Sequence, residues 1–375
     1  MRKNLFLIIF IFILLIPSIY IIKNTSVKKM YSFKNLINSS YMFKDNKGNI
    51  YVGFRNNKLY SFSKNFKKNW EKIFDSNVLS FIPLEDKLIL TTNNSNLYML
   101  NLKGKVLKKI SFDYKFIILK GKITDNKFIV LYQDKNYLPS LGEMIIENSG
   151  YIQINEFSLY LDTYISAYEY LKIYPLNNND YFYFKKTKDT IIKVIISHDE
   201  EKLPYVKKVI PIKTAFIIKD PKYIKYGFPI YYNEKIIFSI NNFFYIQNTK
   251  DKSEIFINLE NYYKFKDYKP KINSNIIYYI NNSYFTTNFG DLFEVSINSG
   301  NVKRYKIKAY GDSSLIKKYG NKLYILSGNN FIIFDTKDKT IKRKEFGDSY
   351  FNFVIIDENN IILINNGLMS KLLNL

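Results

Sequence analysis

The chain alternates short apolar runs with polar reversals over most of its length. Its clearest stretch reads Asp45-Asn46-Lys47-Gly48-Asn49, then Ile50-Tyr51-Val52-Gly53, then Arg55-Asn56-Asn57, then Lys58-Leu59-Tyr60-Ser61-Phe62. Period-2 alternation inside each run, with Asn, Asp and Gly at each reversal, predicts strand, tight turn, strand. The same signature returns before Leu88, Phe128, Tyr181, Ile236, Ile276, Leu323 and Ile361, each time as a polar turn entering an apolar strand. Second turns recur at Asn241-Asn242, Gly290-Asp291, Gly328-Asn329-Asn330 and Asn365-Asn366-Gly367.

Eight units recur at intervals of roughly 40 to 55 residues, the length of a four-stranded blade, so radial repetition fits better than a sandwich. The chain is therefore expected to be all-β, a β-propeller of eight four-stranded blades over residues 38–375, with seven blades plus an irregular unit as the alternative. After Asn365-Asn366-Gly367 only Leu368 to Leu375 remain, enough for one strand and no outer partner. Pairing strands from the two termini removes an exposed edge, and residues 31–37 (YSFKNLI) are the expected closing strand.

The N-terminus departs from this pattern. Asn4 to Ile22 carry no charge and are flanked by Arg2 and Lys3 before and by Lys23, Lys28 and Lys29 after. As a helix this stretch spans roughly 28 Å, close to the hydrocarbon thickness of a bilayer. Around Pro17-Ser18-Ile19-Tyr20 bulky residues leave no small-residue cleavage site, which favours an uncleaved signal-anchor over a cleaved signal peptide. Residues 1–3 are then a cytoplasmic end, 4–22 a transmembrane helix, and 23–37 a tether with the closing strand. Arg2, Lys3 and the amino terminus place the propeller outside the cytoplasm, on a single-pass membrane protein.

Composition supports an ordered β fold, with 34 Tyr and 31 Phe but only 14 Gly and 9 Pro in 375 residues. The net charge of +23 would invite a nucleic-acid partner, but the lysines are scattered through turns and arginine is scarce, so no focused phosphate-binding surface is expected. A diffuse attraction to anionic lipid headgroups or cell-wall polymers fits better. Cysteine is absent, which excludes disulfides, thiolate metal sites and a lipid-modified cysteine.

Residues 45–70 approximate Asp-x-Gly, strand, Asp/Asn-Gly, Leu-Tyr-Ala-Leu, Gly-Lys, Trp, with Trp70 in the last place. In this the chain resembles the PQQ-like (quinoprotein-type, WD40-like) β-propeller repeat family over most of residues 40–375. Residues 85–105, 290–304 and 328–344 keep the strand-and-turn pattern, while the later copies lack the tryptophan. The resemblance implies a propeller fold and, among known family roles, a scaffold in outer-membrane barrel assembly. That scaffold is lipid-anchored through a cysteine this chain lacks. Quinone enzymes of the related class would use a Trp to stack the cofactor, an acidic base and a bound divalent cation. The single Trp70 falls at a blade-packing position instead.

No arrangement of residues carries recognisable chemistry. The single histidine, His198, sits among charged residues in Ser197-His198-Asp199-Glu200-Glu201 and reads as a solvated loop residue. Asp45 to Asn49 offers oxygen ligands but no downstream bidentate Glu, so turn chemistry explains it better than calcium. Neither a Gly-x-Ser-x-Gly elbow nor a phosphate-binding Gly-rich loop is present. No catalytic, metal or cofactor site is assigned, and no cofactor is expected. Specificity is expected in the irregular units instead: the loop 134–142, with Tyr137, Leu138, Pro139 and Leu141 as candidate partner contacts, and the stretches 160–174 and 197–228. The leading expectation is a non-catalytic scaffold that binds another envelope protein. A glycan or small-ligand module or sensor is the alternative, and an enzyme with an unrecognised carboxylate site the third.

Overall fold

The computed structural model describes residues 27–32, 40–54, 57–122, 126–134, 140–147, 151–160, 173–175, 180–186, 191–197, 205–212, 230–232, 234–240, 242–248, 250–251, 253–264, 269–311, 313–365 and 368–372. The predicted transmembrane segment 4–22 and His198 lie outside them. Among the described residues no helix is long and apolar enough to cross a membrane, and the single helical turn is the 3-10 segment Leu259–Tyr262.

The described strands form eight four-stranded antiparallel sheets. In chain order they cover 40–73, 78–111, 114–160, 173–212, 230–258, 277–309, 314–345 and 352–372, the eighth completed by Val27–Ser32. Strands pair in chain order within each sheet, first innermost and fourth outermost. Only the eighth breaks sequence: its outermost strand is Val27–Ser32, paired antiparallel with Leu368–Leu372 from Val27↔Leu372 to Ser32↔Leu368.

The closing strand thus lies upstream of the expected 31–37, sharing only Tyr31 and Ser32 with it. The outer strand of a sheet exposes one edge to water, where lysines are favoured. Lys28 and Lys29 in VKKMYS suit that position as Lys108 and Lys109 suit VLKKIS, the outer strand of the second sheet. A second correction concerns the sixth unit: its second strand is Asn282–Thr286, and the run at Ile276 leads into the first strand, Ile277–Tyr279. Tight turns bound both runs, and only the sheet partners tell them apart.

Successive sheets stack face to face, and the last packs on the first. Ile50, Val52 and Phe62 share one apolar cluster with Val354, Ile362 and Ile364 of the eighth sheet. Tyr51 and Leu59, their strand neighbours, share another with Phe81, Leu88 and Leu100 of the second. Successive side chains of a strand point to opposite faces, so each middle strand feeds two cores. That is why Lys87–Thr92 and Lys322–Ser327 are buried at every position after the first. Similar clusters join the second sheet to the third, the fifth to the sixth, the sixth to the seventh and the seventh to the eighth. The third meets the fourth through their outer strands, and Phe182 meets Tyr231 edge-on at 4.9 Å between the fourth and fifth.

Candidate functional site

Turn residues set the frame from which any site projects. The Asp45 carboxylate accepts from the Lys47 and Asn49 amides at 2.9 and 2.8 Å, from Asn49 Nδ2 at 2.9 Å and from the Tyr51 hydroxyl at 3.0 Å. Its oxygens are thereby engaged by the turn itself. Asn101 and Asp335 cap the third-to-fourth turns of their sheets in the same way.

Between neighbouring sheets a recurrent staple appears. Trp70, on the outer strand of the first sheet, donates its indole N–H to the Leu102 carbonyl at 2.8 Å. Its ring covers Gly104, whose φ is 82° and where a Cβ would stand 2.8 Å from the indole. Ile255 covers Gly300 (φ 72°) between the fifth and sixth sheets. Ile255 stands opposite Ile246 as Trp70 stands opposite Ser61, so the tryptophan position of the repeat keeps its packing role there with Ile as the side chain. Between the sixth and seventh the contact differs: the Lys339 amine stands 5.8 Å from the Tyr305 ring centroid.

The Lys339 amine also reaches the buried carboxylate of Glu294, at 3.0 and 2.9 Å from its two oxygens. Glu294 further accepts from the hydroxyls of Tyr284 at 3.0 Å and Tyr305 at 2.7 Å, and from Asn282 Nδ2 at 2.9 Å. Burial pushes this carboxyl up, but the hydrogen bonds from Tyr305, Lys339 and Tyr284 outweigh it and hold its pKa below the ordinary range. Burial and the adjacent carboxylate raise both tyrosines. The sequence signal for this cluster was Glu294 between apolar Leu292-Phe293 and Val295, and sequence reasoning passed over it.

The innermost strands carry a second such feature. Lys317 extends from Ser314–Tyr319 to the Phe353 carbonyl and, at 3.2 Å, to Asn352 Oδ1 on the innermost strand of the eighth sheet. Burial lowers its pKa to about 8. From the other side Lys44 reaches the Ile355 and Ile356 carbonyls at 3.3 and 3.2 Å. Two lysines thus cap the edge carbonyls of one inner strand, which no neighbouring strand pairs. Exposed Phe43, Tyr319 and Phe351 lie on or beside the same inner strands. Among the described residues no group of His, Asp and Glu is placed to hold a metal ion.

Of the expected contact residues, Tyr137, Leu138 and Pro139 lie outside the described residues. Leu141 does not belong to a loop: it sits in strand Ser140–Ile146, opposite Leu131. Gly142 allows that strand to continue, since a Cβ there would come within 2.8 Å of the Asn155 carbonyl oxygen. The loop shortens accordingly to 135–139. In an antiparallel sheet the second-to-third connection and the connection to the next sheet leave from the same end. The strand ends Asp134 and Ser140, Tyr160 and Ile173, and Ile212 and Ile230 therefore lie on one face of the third, fourth and fifth sheets. Of the expected stretch 197–228, Tyr205–Ile212 is instead the fourth strand of the fourth sheet, and the connection before it runs between third and fourth strands, at the opposite end.

No described protein family and no curated protein matches this sequence. Solved structures do match over nearly the whole chain. BamB from Moraxella catarrhalis is 9% identical with a TM-score of 0.55, covering 89% of this chain and 96% of its own. Sqt1 from Saccharomyces cerevisiae is 12% identical with a TM-score of 0.57, covering 93% and 97%. The computationally designed Ika8 protein is 6% identical with a TM-score of 0.60, covering 92% and 100%. At these identities the likeness establishes a β-propeller fold.

Proposed function

We propose that this chain is an eight-bladed, membrane-anchored propeller that works outside the cytoplasm as a non-catalytic scaffold, binding a protein of the cell envelope. The observation that carries this reading is that the strand ends flanking residues 135–139, 161–172 and 213–229 lie on one face of three adjacent sheets. Connections at the end of a rigid frame are where recognition is carried. The named contacts Tyr137, Leu138 and Pro139 fall in the first of those segments. Anchoring is supported by the uncharged run from Asn4 to Ile22, long enough to cross a bilayer. Each sheet reads as one blade.

The test is affinity capture of the detergent-solubilised full-length protein from its own envelope, beside a variant whose residues 135–139 are replaced by a two-residue turn. A scaffold recovers a protein partner in stoichiometric amount, and the variant loses it while keeping the same melting temperature. Absence of any protein partner, together with thermal stabilisation by an envelope glycan, would overturn the reading in favour of a ligand-binding module.

A further inference from the structure

Basic residues are not spread evenly around the outer edge of the ring. The outermost strands of the sixth, seventh, eighth, first and second sheets read VKRYKIKA, IKRKE, VKKMYS, KNWEKI and VLKKIS, with thirteen basic residues against two acidic. Those of the third, fourth and fifth read IQINEFSLY, YVKKVIPI and EIFIN, two against two. Lysine on an exposed edge strand discourages edge-to-edge association, but that need is the same for every sheet and does not explain a one-sided distribution. The first five sheets named are consecutive around the ring, and the central one contains Val27–Ser32, the strand joined to the N-terminal apolar segment. Large apolar side chains accompany the charges on this arc: Ile341, Ile73 and Leu107 are 41, 60 and 55% exposed on three of its outer strands.

Chain length adds a second constraint. If the apolar segment ends at Ile22, four residues separate it from Val27, and fully extended they reach about 14 Å. The outer edge of the eighth sheet then cannot leave the vicinity of the headgroups, and its neighbours on both sides are held near the same surface.

We infer that the propeller seats edge-on against an anionic lipid surface, through the basic outer strands of the eighth sheet and of the seventh and first that flank it. This rests on the membrane-anchor reading above. Each lysine near such a surface contributes roughly a five-fold bias toward the docked orientation, and the bias falls off within a Debye length. Exposed Ile73 and Ile341 add contact with the interfacial region. The third, fourth and fifth sheets, whose strand ends flank residues 135–139, 161–172 and 213–229, belong to the opposite arc and stay open to a protein partner.

The absence of cysteine makes single-cysteine labelling direct. The full-length chain is reconstituted into vesicles of phosphatidylcholine with or without phosphatidylglycerol, carrying a headgroup quencher. A fluorophore is placed by Ile73→Cys, Ile341→Cys or, as the far-side control, Phe256→Cys. Seating predicts several-fold stronger quenching at 73 and 341 than at 256 in the anionic vesicles. The difference should shrink in neutral vesicles and in the triple variant Lys29→Glu, Lys72→Glu, Lys342→Glu, with circular dichroism unchanged. Equal quenching at all three sites in a protein that floats with vesicles at alkaline pH would overturn the seating and leave the anchor standing. Failure to float would overturn both.

Discussion

At the residue scale, the frame depends on a few side chains that do the same work in different chemistry. Trp70 over Gly104 and Ile255 over Gly300 each fasten one sheet to the next. Trp70→Ala removes a large packed ring and leaves the Leu102 carbonyl without its donor, and about 3 kcal/mol of stability should be lost in urea unfolding. Gly104→Ala combines a strained φ with a clash against the indole, and about 1–2 kcal/mol should be lost by the same measure. Lys317 has a pH signature. Its folded pKa of about 8 lies below the unfolded value of 10.5, so the unfolded chain holds more protons between those values and stability rises with pH across that window. The wild type should gain up to about 3 kcal/mol relative to Lys317→Met between pH 8 and 10.5, measured by denaturant midpoints at fixed m. A constant difference across that range would show that burial does not shift this amine.

At the element scale, closure is the decisive contact. Val27–Ser32 covers the edge of Leu368–Leu372, which would otherwise offer a row of unpaired backbone groups to another chain. A chain beginning at residue 33 should melt at least about 10 °C below one beginning at residue 24 and should aggregate on storage. Equal melting temperatures would mean that the strand is only laid against the sheet. The gradient across each sheet follows from the same geometry. Middle strands are buried on both faces, whereas the outer Val106–Ser111 alternates between partial and full exposure at every step.

At the scale of the whole molecule, a ring in which every sheet packs on two neighbours has no free end from which to unfold stepwise, unlike an open repeat array. Denaturant unfolding should therefore follow one transition, with fluorescence of the sole tryptophan in the first sheet coinciding with far-UV circular dichroism. Separate midpoints would show that the sheets unfold as independent groups. The ring also separates two tasks on opposite arcs: one edge is basic and tied to the N-terminal strand, and the other carries the long connections proposed to meet a partner.

The sequence by itself determined the class of structure and its period, because turn residues such as Asp45, Asn101 and Asp335 act through hydrogen bonds within a few positions of the chain. Trp70 was legible as a packing residue for a similar reason, its place in the repeat. The partner of each strand was decided only in three dimensions. Nothing local in Val27–Ser32 says that it pairs with Leu368–Leu372, and nothing local in Ile276 says that it precedes an inner strand. Leu141 entered a strand because Leu131 stands opposite it. The bonds of Glu294 to Lys339 and of Lys317 to Phe353 join groups 45 and 36 residues apart, and such distances leave no mark on local composition. The one-sided basic edge likewise emerged only when strands from both ends of the chain were set side by side, since closing the ring brings residue 28 between residues 72 and 342.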